Sequence, residues 1–73
     1  MRYAIVIEKS PRNYAAYVPD LPGCVATGAS REEVVHEISE AIRLHIESLR
    51  EHHEPVPEPR STTAVVDVAA AAG

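Results

Sequence analysis

The chain has 73 residues, which is enough for a single domain over residues 1–73. A second folded module is excluded, because domains seldom fall below about 50 residues. Seven Lys and Arg against eleven Asp and Glu give a net charge of −4, which disfavours direct nucleic-acid binding, since that affinity depends largely on cationic side chains. No apolar run approaches the roughly 18 residues that span a bilayer, and no signal-peptide core is present. We therefore expect a cytoplasmic protein without a membrane role.

The composition also predicts self-association. The chain has three Tyr, no Phe, no Trp and one cysteine, so its core lacks large aromatic anchors and an intramolecular disulfide is excluded. A domain of this size buries only about 60% of the surface that its unfolded chain exposes. We expect a homo-oligomer, because association adds burial.

The first part of the chain carries the pattern of three strands. Residues 3–8 are apolar on both faces up to the last position, which predicts a strand covered on both sides and central in its sheet. A turn at residues 9–13 favours a hairpin with a return strand at residues 14–18. The loop at residues 19–23 contains two prolines and a glycine, and residues 24–27 predict a short third strand.

A helix is predicted to begin after Ser30. Ser30 and Glu33 have the spacing of a capping box, in which the hydroxyl accepts from an amide three residues on. The following apolar residues lie on one stripe when projected on a helix: Val34, Val35, Ile38, Ala41, Ile42, Ile46 and Leu49. We expect the helix to continue to about His53, before Pro55 stops it.

The rest of the chain predicts a linker and a fourth strand. Residues 54–60 are interrupted by prolines and predict an extended linker. Residues 63–68 contain three valines and a threonine, which are β-branched, and predict a fourth strand. Residues 69–73 are interpreted as a strand extension or a frayed tail. A right-handed crossover would place the fourth strand parallel to the first. The predicted fold is α+β, with the order β-β-β-α-β, a twisted mixed sheet in the order 3-2-1-4 and one helix on one face. The other face lacks a cover, and we expect a second copy to bury it.

Several of these residues together resemble a known family. They are the run Tyr17-Val18-Pro19-Asp20-Leu21-Pro22-Gly23-Cys24, then Gly28, Ser30 and Glu32-Glu33, then Glu40-Ala41-Ile42 with Leu44 and Glu47. Over nearly the whole chain the combination resembles the HicB family of antitoxin-like proteins. The resemblance implies a partial RNase H-like fold and a non-enzymatic role, in which the protein binds and blocks HicA, a small basic mRNA-cleaving toxin. Many members carry a DNA-binding segment after the fourth strand; this sequence ends at Gly73, so we do not expect it to bind an operator alone.

Three regions are candidates for contact with such a toxin. They are the loop after the second strand, the leucine that projects away from the apolar stripe, and the acidic residues around the linker. The candidate residues are Asp20, Leu21, Leu44, Glu51, Glu54 and Glu58. Each also has a plainer interpretation. The loop can simply turn one strand into the next, a single exposed leucine is ordinary, and acidic linkers are commonly solvated.

A nuclease is the second hypothesis, because RNase H-like enzymes hold two metal ions with carboxylates on strands and a helix. The candidate carboxylates are Glu8, Asp20, Glu33, Glu37 and Asp67. The strand alternation brings no three of them together, so we predict no catalytic residues and no metal site. A third hypothesis is an orphan oligomeric module with an unrelated ligand.

The histidines are candidates for a zinc site, and the cysteine is a candidate nucleophile. The four histidines, at positions 36, 45, 52 and 53, have the wrong spacing for one zinc cluster, since His36 and His45 project to different helix faces. Cys24 has no base fixed beside it in the sequence, and a small apolar role is favoured over a nucleophile. We predict no cofactor.

Overall fold

The computed structural model describes residues 1–69. It contains three strands, β1 (Val6–Lys9), β2 (Tyr14–Tyr17) and β3 (Val25–Gly28), followed by one helix, α1 (Arg31–Glu51). The sheet is antiparallel throughout, with the order β1-β2-β3. The α+β class, the first three strands and the helix were therefore predicted correctly.

The register of the sheet determines which side chains meet the helix. Ile7 lies opposite Ala16, and Ala16 lies opposite Ala26. These three residues form one row across the sheet, and all of them are buried or half-buried beside the helix. Because successive side chains of a strand point to opposite faces, the neighbouring row faces away from the helix.

The start of α1 confirms one of the two hydrogen bonds of the predicted capping box, in which Glu33 is also expected to reach back to Ser30. The Ser30 hydroxyl accepts a hydrogen bond from the Glu33 amide at 3.1 Å, and Ser30 has extended backbone angles. This bond satisfies one of the amides that the first helical turn leaves without a partner. Within residues 1–69, α1 lacks the length of apolar sequence that a bilayer crossing needs.

The end of α1 lacks the usual glycine. His53 takes a positive φ of 56°, and its amide donates to the Arg50 carbonyl at 3.1 Å. The Glu54 amide donates to the Leu49 carbonyl at 2.8 Å. This pair of bonds is the Schellman motif, which ends a helix and turns the chain back.

The core lies between α1 and strands β2 and β3. Its fully buried members come from the end of β2, the loop after it and the first half of the helix: Ala16, Val18, Leu21, Cys24, Val34 and Ile38. The loop folds inward because its own backbone closes it, with the Leu21 amide donating to Val18 at 3.1 Å and the Cys24 amide donating to Leu21 at 3.0 Å. The proline-rich connection between β2 and β3 therefore supplies three core residues, Val18, Leu21 and Cys24.

The predicted fourth strand was wrong. Residues 63–68 form no strand, and Val65, Val66 and Val68 are 96%, 76% and 81% exposed. A strand is stabilised by a hydrogen-bonded neighbour and by burial rather than by β-propensity alone, and this segment has neither within its own chain. Within residues 1–69, β1 is therefore an edge strand and not a central one, and the sheet is antiparallel and not mixed. The predicted extension over residues 69–73 lies mostly outside the described residues.

Candidate partner-binding surface

The solvent side of α1 carries a line of carboxylates. Six exposed residues follow one another at alternating spacings of four and three positions, which places them on one side of a helix with about 3.6 residues per turn. We call this line the acidic stripe: Glu33, Glu37, Glu40, Leu44, Glu47 and Glu51. It runs the length of the helix, away from the core.

Leu44 is the apolar member of the acidic stripe. It is 56% exposed, and Glu40 and Glu47 lie about one turn away on either side of it. An apolar side chain surrounded by polar groups resembles the arrangement of protein interfaces, where a desolvated centre is enclosed by a charged rim. The middle of α1 therefore presents both an apolar contact and negative charge.

Arg43 orders the centre of the acidic stripe. Its guanidinium donates to Glu40 at 2.9 Å and to Glu47 at 3.0 Å. The hydrogen bond from Arg43, and then its charge, lower the pKa of the Glu40 carboxyl. Within the described residues no ion pair joins Glu37 or Glu51. The two ends of the stripe are therefore more negative than its middle.

Asp20 holds the linker that follows the helix. One carboxylate oxygen accepts hydrogen bonds from the Arg60 and Ser61 amides, each at 2.8 Å, and the other accepts from the Ser61 hydroxyl at 2.9 Å. The backbone hydrogen bonds from Ser61 and Arg60 lower the pKa of Asp20. We call these contacts the Asp20 clasp.

Tyr3 fixes the same linker at a second point. Its hydroxyl donates to the Pro57 carbonyl. Partial burial, followed by the nearby charges of Glu58 and Asp20, raises the pKa of Tyr3. The linker between the helix and residue 61 is thus attached at two places, to the segment before β1 and to the loop after β2. The exposed Glu58 lies between these two points.

The sequence-predicted contact residues fall into two groups. Leu44 and Glu51 belong to the acidic stripe, and Glu54 is exposed just beyond it. Leu21, by contrast, is 0% exposed, so its side chain supports the core and presents no surface to a partner. Asp20 is engaged within the chain by the clasp.

Four members of the stripe are not among the sequence-predicted contact residues: Glu33, Glu37, Glu40 and Glu47. The sequence points to Leu44 on this side of the helix, and the regular four-and-three spacing of its acidic neighbours is the signal that would have added them.

The sheet face opposite the helix is a second exposed feature. Val6, Tyr17 and Val25 lie opposite one another in one row, and Tyr17 and Val25 are 41% and 65% exposed. Glu8 and Thr27 belong to the next row of this outer face. The outer face is therefore apolar at one end, in the row of Val6, Tyr17 and Val25, and more polar in the next row, which carries Glu8 and Thr27.

The side chains considered for nuclease or zinc chemistry are spread over the molecule. Within residues 1–69 no three His, Cys, Asp or Glu side chains are placed to hold one metal ion. Glu8 lies on the outer face, Glu33 and Glu37 lie on the acidic stripe, and Asp67 is exposed after the linker.

Cys24 is buried, with 3% of its surface exposed. Loss of hydration raises the pKa of its thiol, which keeps it protonated. A protonated, enclosed thiol is a weak nucleophile. Cys24 therefore acts here as a small apolar core residue.

Comparison with known proteins identifies the family. The model of the family described as "HicB_like antitoxin of bacterial toxin-antitoxin system" matches residues 3–72. The chain belongs to this family. The resemblance seen in its sequence motifs is thereby confirmed.

Two relatives of the HicB-like chain have similar lengths. A UPF0150 protein of Thermoplasma acidophilum is 43% identical over 58 residues, covering 78% of this chain and 84% of the relative. A UPF0150 protein of Synechocystis sp. is 44% identical over 57 residues, covering 77% of this chain and 72% of the relative. The match extends over most of both proteins.

A solved structure is also similar to the HicB-like chain. It is a chain of a HicA3 and HicB3 toxin-antitoxin complex, with a TM-score of 0.71 and 32% identity. The similarity covers 81% of this chain and 70% of that chain. The fold described above is thus shared with a protein solved in a toxin-antitoxin complex.

Proposed function

We propose that this HicB-like protein is an antitoxin that binds a small basic HicA-like toxin in the cytoplasm and blocks its cleavage of mRNA. The observation that carries the proposal is the shared fold, at 32% identity, with a chain of the HicA3 and HicB3 complex. Inhibition would be by occlusion, in which the bound protein covers the RNA-binding surface of the toxin. It needs no catalytic residue, cofactor or direct nucleic-acid contact in this chain.

Charge complementarity supports the acidic stripe as the toxin-binding surface. An enzyme that binds mRNA needs cationic side chains to contact phosphates. The same cations would be attracted to a row of carboxylates, and complementary charge speeds encounter between proteins. Glu37 and Glu51 are the members that we expect to contribute most, because Arg43 already neutralises part of the charge between them.

Leu44 would supply the apolar contact at the centre of this interface. A partly exposed leucine among charged groups can be fully desolvated when a partner covers it, and central contacts of this kind carry much of the binding energy. Glu54 and Glu58 would extend the acidic surface along the linker. The Asp20 clasp and the buried Leu21 would act indirectly, by holding that linker and the loop below it.

A pull-down from the native cytosol tests the proposal directly. The tagged full chain is the bait, and mass spectrometry identifies what it retains. We expect a stoichiometric small basic chain of HicA-like sequence, and we expect RNA cleavage by that chain to stop when the HicB-like protein is added back. Recovery of the bait without such a chain would contradict the proposal and favour an orphan module.

Charge-reversal variants test the assigned surface. In the double variant Glu37→Lys/Glu51→Lys we expect toxin affinity to fall by about tenfold or more, which corresponds to roughly 1.4 kcal/mol. Glu8→Lys/Asp67→Lys is the matched control, because it also reverses two exposed carboxylates, and neither of them belongs to the acidic stripe. An equal loss in the control, or a loss that does not shrink in high salt, would contradict the assignment.

The same preparation distinguishes a nuclease. The purified chain is incubated with RNA and Mg²⁺ or Mn²⁺, without a toxin. We expect no cleavage. Cleavage that disappears in Glu8→Ala or Asp67→Ala would replace the antitoxin proposal with a metal-dependent enzyme.

A further inference from the structure

An exposed segment with the character of a strand follows the linker. Residues 63–68, here called the C-terminal arm, contain three valines that are 96%, 76% and 81% exposed, at Val65, Val66 and Val68. β-branched residues favour strands, and consecutive exposed apolar side chains are unusual on the surface of a monomer. The arm has the composition of a buried strand but lies in solvent.

The strand β1 offers a matching open edge. It is hydrogen-bonded to β2 on one side, and within the described residues no strand covers the other. Helix α1 packs chiefly over β2 and β3, and a groove remains between β1 and the helix. Its lining is mixed, with apolar or aromatic side chains from Ile5, Ile7, Tyr14 and Val35 and polar ones from Lys9, Arg31 and the chain's own Thr63. An edge strand with apolar neighbours is a ready template for a further strand.

We propose that the C-terminal arm of one copy adds as a strand to the β1 edge of a second copy, and that the exchange is reciprocal. Each chain supplies one arm and one edge, which is the closed, self-complementary arrangement of a twofold dimer. The sheet of each copy would then have four strands, the fourth supplied by its partner.

The extended shape of the chain favours pairing of the arm with β1 of a second copy over pairing with β1 of the same chain. The radius of gyration of the Cα atoms is 15.0 Å, whereas a compact chain of this length has a radius of about 11 Å. The Asp20 clasp fixes Ser61, and Thr63 is the last residue that lines the groove of its own chain. Beyond Thr63 the arm leaves its own sheet and is available to another.

The alternation of the arm suits the groove. In an extended chain Ala64, Val66 and Val68 lie on one face, and Val65 and Asp67 lie on the other. The first face is wholly apolar, and it can pack between β1 and α1 of the second copy. The face that carries Asp67 would join the outer side of the sheet, which is open to water.

A mixed-label NMR experiment tests the exchange with the full chain and no toxin. Chains labelled with ¹⁵N and chains labelled with ¹³C are unfolded together and refolded, and sedimentation gives the mass. We expect a dimer, with contacts in the mixed sample between arm valine methyls of one chain and Val6 or Ile7 amides of the other. A monomer, or arm contacts that appear only when both labels are on one chain, would overturn the proposal.

Proline substitution supplies the matched pair of variants. Only every second amide of an added edge strand bonds to its neighbour, so two adjacent residues are changed together. Val65→Pro/Val66→Pro removes the amide that the ladder needs in either register, whereas Val65→Thr/Val66→Thr keeps both amides and the β-branched shape. Because both valines are exposed in the single copy, neither double variant should alter the helix signal in circular dichroism. We expect Val65→Pro/Val66→Pro to be monomeric and Val65→Thr/Val66→Thr to remain dimeric. A dimer that persists in the double proline variant would overturn the proposal and indicate association through the outer face instead.

Discussion

Asp20 accepts two hydrogen bonds from Ser61, one from its amide at 2.8 Å and one from its hydroxyl at 2.9 Å, although 41 residues separate them. Asp20 lies in the proline-rich loop, and Ser61 lies after the helix and its linker. One carboxylate therefore ties the beginning of the fold to its end. It also fixes the point from which the C-terminal arm departs.

Removing the Asp20 carboxylate should release the linker without unfolding the core. In Asp20→Ala the amides of Arg60 and Ser61 lose their acceptor, so we expect their protection from hydrogen exchange to disappear, while amides in the middle of α1 remain protected. Asp67→Ala is the control, because Asp67 lies on the exposed arm. Retained protection at Arg60 and Ser61 in Asp20→Ala would show that the clasp does not hold these residues.

The clasp should also depend on pH in a defined direction. Hydrogen bonds from Ser61 and Arg60 lower the pKa of Asp20 in the folded protein. A lowered pKa means that the stabilisation is fully present above the unfolded value of about 4 and is lost as the pH falls through the folded value. We expect an NMR titration of the Asp20 carboxyl to give a midpoint below that of a model peptide. A midpoint at or above the peptide value would contradict this.

Substitution of Leu21 should lower the stability of the fold, whereas substitution of Leu44 should lower toxin affinity. Leu21→Ala empties a fully buried site, for which we expect a loss of about 2–5 kcal/mol in the free energy of unfolding. Leu44→Ala changes an exposed side chain, so we expect stability to change by no more than about 0.5 kcal/mol while toxin affinity falls. Urea denaturation and calorimetric binding measure the two quantities. A destabilised Leu44→Ala, or unchanged toxin binding in it, would contradict the assigned roles.

Two glycines are required for different reasons. A Cβ atom at Gly28 would lie 2.6 Å from the Val34 backbone nitrogen, so Gly28→Ala forces β3 and α1 apart, at a cost of about 1–3 kcal/mol. At Gly23 a Cβ meets nothing within 4 Å, but φ is +84°, so Gly23→Ala costs about 1–2 kcal/mol through backbone strain.

Asparagine distinguishes the two causes, because it tolerates positive φ better than alanine does. We expect Gly23→Asn to be more stable than Gly23→Ala in urea denaturation. Gly28→Asn should be no more stable than Gly28→Ala, since its side chain meets the same obstacle. The reverse order at either position would show that the wrong cause was assigned.

The elements that could be predicted from the sequence are those with local signals. The first three strands follow from short apolar runs between turn residues, and the helix follows from the Ser30 cap and a periodic stripe. The fourth strand could not be decided in this way, because the arm has the right residues but pairing depends on a neighbour distant in the chain. The same limitation applies to Asp20, whose hydrogen-bond partners lie 40 and 41 residues away.

The candidate residues differ in how far the sequence could place them. Leu44 is predicted to project away from the apolar stripe, and Glu51 is predicted as part of the acidic stretch around the linker; both are exposed on the acidic stripe. Leu21 is a candidate as part of the loop after the second strand, whereas this loop closes its own backbone and turns the leucine inward. Burial of that kind depends on the three-dimensional path of the loop, which its composition does not specify.

The burial of Cys24 means that its reaction with a thiol reagent reports local opening of the protein. It is the only thiol in the chain and is 3% exposed, so a thiol reagent can reach it only when the loop and helix separate. The rate of labelling by such a reagent therefore measures the frequency of opening, without any added probe. A bound toxin or an exchanged arm that stabilises this region would lower the rate at which the reagent labels Cys24.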